Sequence, residues 1–213
     1  MMQTLQANQV TLATLESQFG LTGTGDRAFF NEWQTAAESI TPQEQQMLDR
    51  VKANFDSLLK EPPLLEGAVK MVILSPLLDL AGFYQPPFRI RTEAEISIAS
   101  ADEETGVVVR GAIDVLVLLE RLWVLVIESK MSDFSLTKAL PQALSYMLSS
   151  PNRLSFGLIT NGSDFVFIKL DQTEQPVYAT SKVFSLLAPS NELVDVLRVL
   201  KHLGQVMRSQ LPA

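Results

Sequence analysis

Asp114, Glu128 and Lys130 are charged residues set at or inside the two most apolar runs of the chain, Ile113–Leu119 and Leu122–Ile127. A buried carboxylate without a partner costs several kcal/mol or takes up a proton, so charges in such runs need a reason to be there. Glu128 and Lys130 are two positions apart, which sends both side chains from one face of a strand. The runs meet at Glu120-Arg121, and a three-residue turn there would bring Asp114 opposite or diagonal to Glu128. Two acids and a lysine would then share one spot. That is either a metal site with a cationic helper or an internal ion triad, and buried triads are poor stabilisers. With no cysteine and a single histidine, His202, in the whole chain, an ion here would be held by oxygen. Oxygen ligands favour magnesium, manganese or calcium.

The elements that must position these residues are legible on either side. β-branched, doubly apolar runs joined by a short turn predict two adjacent buried strands. Upstream, Phe88, Ile90, Ile96 and Ile98 predict a first strand over residues 88–100, followed by a polar turn at Asp102–Gly106. Downstream, Ser135–Leu148 predicts a helix or a turn plus helix, since Pro141 fits best near a helix start. Ser155–Thr160 and Phe165–Leu170 predict two strands joined at Asn161-Gly162, a strong hairpin signal. Glu192–Met207 predicts a closing amphipathic helix. Before the strands, Thr41-Pro42-Gln43-Glu44 is a capping box opening a helix to about Lys60. Glu61-Pro62-Pro63 ends it, and a second, mostly apolar helix runs to Gly82 with a kink or break at Pro76. Residues 1–60 look helical and polar-amphipathic, broken at Leu21–Asp26, whose glycines make a plain turn. The expected organisation is a helical N-terminal extension, 1–62, and an α/β domain with a mixed sheet flanked by helices, 63–213.

Composition bounds the function. The chain has 213 residues, 46% of them hydrophobic, enough for a generous core. No apolar run approaches the about 20 residues that cross a bilayer, and the N-terminus lacks the order of a signal peptide. Those features and the missing cysteines suit a cytoplasmic protein with no membrane partner. The net charge of −7 speaks against a generic nucleic-acid binder. Lys138, Arg153, Lys169, Arg89 and Arg91 offer either a phosphate-facing rim or scattered solvated cations.

Ile113-Asp114 followed fourteen positions later by Glu128-Ser129-Lys130 resembles the bipartite motif of the PD-(D/E)XK nuclease superfamily. Lys130 is the only one of eight lysines with an acid two residues before it. Glu66 stands on the helix before the sheet, where many members carry an additional acid. Gln142 and Tyr146 resemble the Gln-x-x-x-Tyr element of some branches. The segments ILSPLLDLAGF, IDVLVL, VIESK, PQALSYM and LITNGSDFVFI look most like the N-terminal nuclease domain of type I restriction endonuclease subunits. The likeness covers roughly residues 63–170.

The resemblance implies a restriction-endonuclease-like fold and a magnesium- or manganese-dependent DNA endonuclease. Asp114, Glu128 and the Ser129 carbonyl would hold the ion. The ion would polarise the scissile phosphate and lower the pKa of a bound water, with Lys130 orienting that water or offsetting charge. Glu66 would hold a second-shell water or help place another ion, and Gln142 would orient substrate or water, with Tyr146 on the same helix face. No helicase or methyltransferase module accompanies the motif, so the chain would act alone, as a homodimer, or within a larger complex. The competing expectation is a catalytically inactive protein of nuclease fold serving as a binding or scaffold subunit. Trp123 and Phe134 are expected to pack, and His202 to lie on the surface.

Overall fold

The apolar runs that carry Asp114 and Glu128 form the middle of a nine-stranded mixed sheet among the described residues. The computed structural model describes residues 3–100, 106–120 and 122–210. In chain order the N-terminal part holds β1 (Gln3–Gln6), α1 (Leu12–Phe19), β2 (Thr22–Gly23), α2 (Glu32–Thr35) and α3 (Pro42–Leu58). Next come α4 (Glu66–Val69), a π-helical turn (Lys70–Leu74) and α5 (Ser75–Leu80). The long strands are β3 (Phe88–Ala99), β4 (Val107–Leu119) and β5 (Leu122–Ser129). They are followed by α6 (Leu136–Leu148), β6 (Leu154–Thr160), β7 (Asp164–Asp171), β8 (Val177–Thr180), β9 (Phe184–Ser185) and α7 (Leu193–Arg208).

The strand order is β1-β4-β5-β6-β7-β8-β2, with β3 also on β4 and β9 also on β7. β5 and β6 are parallel neighbours, joined through α6 as a strand–helix–strand unit. Helices cover both faces. Leu48, Val51 and Phe55 of α3, Val69, Ile73 and Leu77 of the α4–α5 helix, and Leu200 and Leu203 of α7 pack one face. Ala143, Leu144 and Met147 of α6 and Leu15 of α1 pack the other. Continuous apolar strands buried on both sides are the signature of such a layered arrangement.

Several expectations are corrected. Residues 1–60 are not all helix: β1 pairs in parallel with β4 and β2 with β8, because the strand edges left open by the centre recruit extended N-terminal segments. Leu21–Asp26 thus contains a strand, and β8 and β9 were not foreseen. Pro141 lies five residues inside α6 rather than at its start. The α-helix is interrupted at Pro76, as expected, but does not end there. The residues just before it open into a π turn, closed by Ser75 N–H donating to the Lys70 carbonyl, which relieves the ladder where proline has no N–H. The Thr41 capping box forms, with Thr41 N–H donating to Glu44 Oε2 at 2.8 Å. The polar turn at Asp102–Gly106 lies, apart from Gly106, outside the described residues. Among those described, no helix is long and apolar enough to cross a membrane.

Candidate functional site

The charged residues meet where β4 and β5 part. Leu119 pairs with Leu122, so the connecting turn is two residues, not three, with Glu120 in the left-handed region at φ 56°. The register then slips between Val117 and Leu118, where Val124 is the extra residue of a β-bulge. The bulge restores the offset that a three-residue turn would have supplied. The ladder ends at Val115–Ile127, and one more step sets Asp114 across from Glu128. There β5 leaves β4 and continues along β6 to the Ser129–Thr160 pair. Asp114 fills the opening with its side chain: Oδ2 accepts from Ser129 N–H at 2.8 Å and from Ser129 Oγ at 3.1 Å. Asp114 is 8% exposed and Glu128 1%.

On the other side of β4 the ladder also skips a pair, running from Thr92–Val115 to Ala94–Ile113. The residue between, Glu93, is left-handed at φ 52°. A non-glycine residue held there costs about 1–3 kcal/mol, and such outliers concentrate at functional sites. Close packing fixes the inner wall of the opening. At Gly111 a Cβ would stand 2.9 Å from Tyr146 Cε1 and 2.8 Å from Ala7 Cβ, so only glycine lets the Tyr146 ring lie against β4.

Two lysines, not one, compensate the acids. Lys130 Nζ donates to Glu128 Oε1 and sits 5.8 Å from the centre of the Phe134 ring. Glu128 Oε2 is buried with no hydrogen-bond partner among the described residues. Burial first, then the Asp114 charge, pushes the Glu128 carboxyl up to about 7 against the pull of Lys130. Lys70 Nζ lies 2.8 Å from Asp114 Oδ1, 2.8 Å from Glu66 Oε1 and 3.8 Å from Glu93 Oε1. Burial works to lower the Lys70 ammonium, but its hydrogen bonds to Asp114 and Glu66 outweigh that and hold it above the ordinary lysine range. Gln142 Nε2 donates to the Tyr146 hydroxyl at 2.7 Å, so these two share a helix face as expected. Burial and then the Glu128 charge raise the Tyr146 hydroxyl above the usual tyrosine range.

Three segments are tied together around this spot. Leu64 N–H donates to Ser132 Oγ at 2.9 Å and Ser132 N–H to the Leu64 carbonyl at 3.0 Å. Asn161 Nδ2, in the β6–β7 turn, donates to the carbonyls of Ser132 and Phe134. The helix entrance carrying Glu66 is thereby held beside the end of β5. A groove of about 370 Å³ opens next to Lys70 and Asp114, walled by Leu74, Leu78, Ile90 and Val115 with Tyr84 at its edge.

Asp114, Glu128, Ser129, Lys130 and Glu66 therefore gather at one place, with Gln142 and Tyr146 on the helix behind. The expected triad is corrected: Lys130 holds Glu128 alone, while Asp114 is held by Lys70. Sequence reasoning missed Lys70 and Glu93. The four-residue spacing of Glu66 and Lys70 was a usable signal for the first, since it places both on one helix face. Nothing marked Glu93, because its position depends on a local backbone distortion. Lys169 is no rim residue, being paired with Glu32 at 2.6 Å. His202 is half-buried against Glu38 at 2.7 Å rather than on the open surface. Among the described residues, no group of three or more His, Asp or Glu side chains forms a ready metal cage. An ion at Asp114 and Glu128 would therefore draw on backbone oxygen and water as well. No family model matches the chain, and no curated protein matches it.

Proposed function

We propose that this chain is a magnesium- or manganese-dependent phosphodiesterase of the PD-(D/E)XK type that cuts DNA. The observation that carries this reading is the pair of buried carboxylates at the parting of β4 and β5, with Lys130 beside them and Glu128 Oε2 lacking a partner among the described residues. A buried anionic oxygen without a donor is costly, and a divalent cation would satisfy it. The residues fit such an ion: Asp114, Glu128 and the Ser129 carbonyl are hard oxygen donors, and the sparse set suits an ion that keeps much of its water.

The bound ion would supply positive charge to polarise the phosphodiester and ease attack by water. In that attack the water oxygen bonds to phosphorus as the ester P–O bond breaks. One water proton ends on the leaving oxygen and the other is released from the new phosphate monoester. Lys130, half-buried and fixed by Glu128 and Phe134, offsets charge growing on the phosphate oxygens. Gln142 has two amide donors, one of them engaged by Tyr146, leaving the other to orient substrate.

One observation favours a second reading, a nuclease fold kept as a binding or scaffold subunit. Both Asp114 oxygens are already engaged, Oδ1 by Lys70 and Oδ2 by Ser129, as in a closed ion pair. Calorimetric titration with magnesium and manganese, paired with plasmid nicking, separates the two. The nuclease reading expects ion binding and ion-dependent nicking, both lost in Asp114→Ala and Glu128→Ala. Binding without nicking on DNA or RNA, or no binding at all, would favour the scaffold.

A further inference from the structure

Lys70 is a cation at this site to which the proposed chemistry assigns no part. It stands at the start of the π turn, its side chain 27% exposed, and bridges Glu66 and Asp114 at 2.8 Å each. Since Ser129 takes the other Asp114 oxygen, an ion using Asp114 as a ligand has to meet the Lys70 ammonium on Oδ1. Two positive charges do not share one carboxylate oxygen at contact distance without strong repulsion. The ammonium has somewhere to go. Glu66, at 41% exposure, already holds it, and Glu93, at 70%, is 3.8 Å away. A lysine head on a flexible four-carbon stem can shift between such acceptors with little backbone movement.

We infer that Lys70 is the resident counter-ion of Asp114, holding the carboxylate while no divalent ion is bound and yielding it by moving onto Glu66 and Glu93. The inference rests on the metal-site reading above. It makes ion binding an exchange of one cation for another, so the wild-type chain binds its ion more weakly than its ligands alone would allow. Lys70 is here a positioning residue that acts through Asp114.

The test uses the full chain. Manganese and magnesium are titrated calorimetrically into wild type, Lys70→Met, Lys70→Gln, Lys70→Arg and Asp114→Asn, and each is melted with and without manganese. Removing the lysine charge should tighten ion binding about tenfold or more, the scale of one charge-assisted hydrogen bond. Lys70→Met should melt below wild type without ion and recover more on adding manganese. Lys70→Arg, keeping the charge, should stay near wild type, and Lys70→Gln carries the same expectation as Lys70→Met if the latter fails to fold. Equal or weaker binding by the folded neutral variants, with Asp114→Asn still abolishing it, would overturn the role of Lys70 and leave the metal site standing. Absence of binding by wild type and neutral variants alike would overturn both.

Discussion

Glu128 is nearly inaccessible to water, keeps one oxygen without a donor among the described residues, and titrates near neutrality, a combination that a stable core does not favour. Its ordinary value is 4.5 and its folded value about 7. Between those two pH values the folded chain keeps a proton that the unfolded chain has released. Stability is therefore fully present below about 4.5 and falls as pH rises toward 7. Glu128→Gln has no carboxyl to ionise and escapes this loss. Its stability relative to wild type should rise by on the order of 2–3 kcal/mol between pH 4.5 and 7.5, read from urea denaturation at each pH. A difference that stays flat across that range would mean Glu128 is ionised throughout.

The strands impose the geometry that the side chains exploit. The bulge at Val124 sets the phase of β5, so that Glu128 rather than Ile127 lies across from Asp114. Beside the opening, β4 admits the Tyr146 ring at Gly111, where no side chain stands in the way. Gly111→Ala would press a methyl into Tyr146 Cε1 and Ala7 Cβ, both closer than 3.0 Å. Overpacking of this kind costs about 1–3 kcal/mol, so the midpoint of urea unfolding should fall accordingly. The contact also couples stability to the site, since a displaced Tyr146 cannot keep its bond from Gln142. An unchanged midpoint would show that Ala7 and α6 can move away from β4 freely at this point.

Across the molecule, the N-terminal segment is structural. β1 and β2 occupy places in the sheet, and Leu15, Leu21, Leu48 and Phe55 are fully or almost fully buried. A chain shortened to residues 63–213 would expose the β4 and β8 edges and much of both cores. It should lose the cooperative thermal transition of the full chain and bind a dye for exposed apolar surface. A cooperative melt from the shortened chain would support the division at residues 62 and 63. Bonds such as His202 to Glu38 reinforce the expectation, since they clip α7 to the segment before α3.

What was legible in the sequence followed from local rules. Apolar, β-branched runs announced β4 to β7, the Thr41 box and the prolines announced α3 and its end, and a two-residue spacing set Glu128 and Lys130 on one side of a strand. Carboxylates in apolar runs marked the site, because burial makes an unneeded charge expensive. Other features depended on contacts between distant segments, which no window of sequence contains. β1 and β2 are too short and polar to announce themselves, and take their form from the strands they meet. The offset between Asp114 and Glu128 came from a bulge, the left-handed Glu93 from a skipped ladder pair, and the Leu64–Ser132–Asn161 ties from three segments brought together by folding. Lys70 lies 44 positions from the carboxylate it holds. Only packing of the α4–α5 helix on the sheet puts its ammonium there, because an ion pair between such distant residues forms at no entropic advantage until the core has assembled.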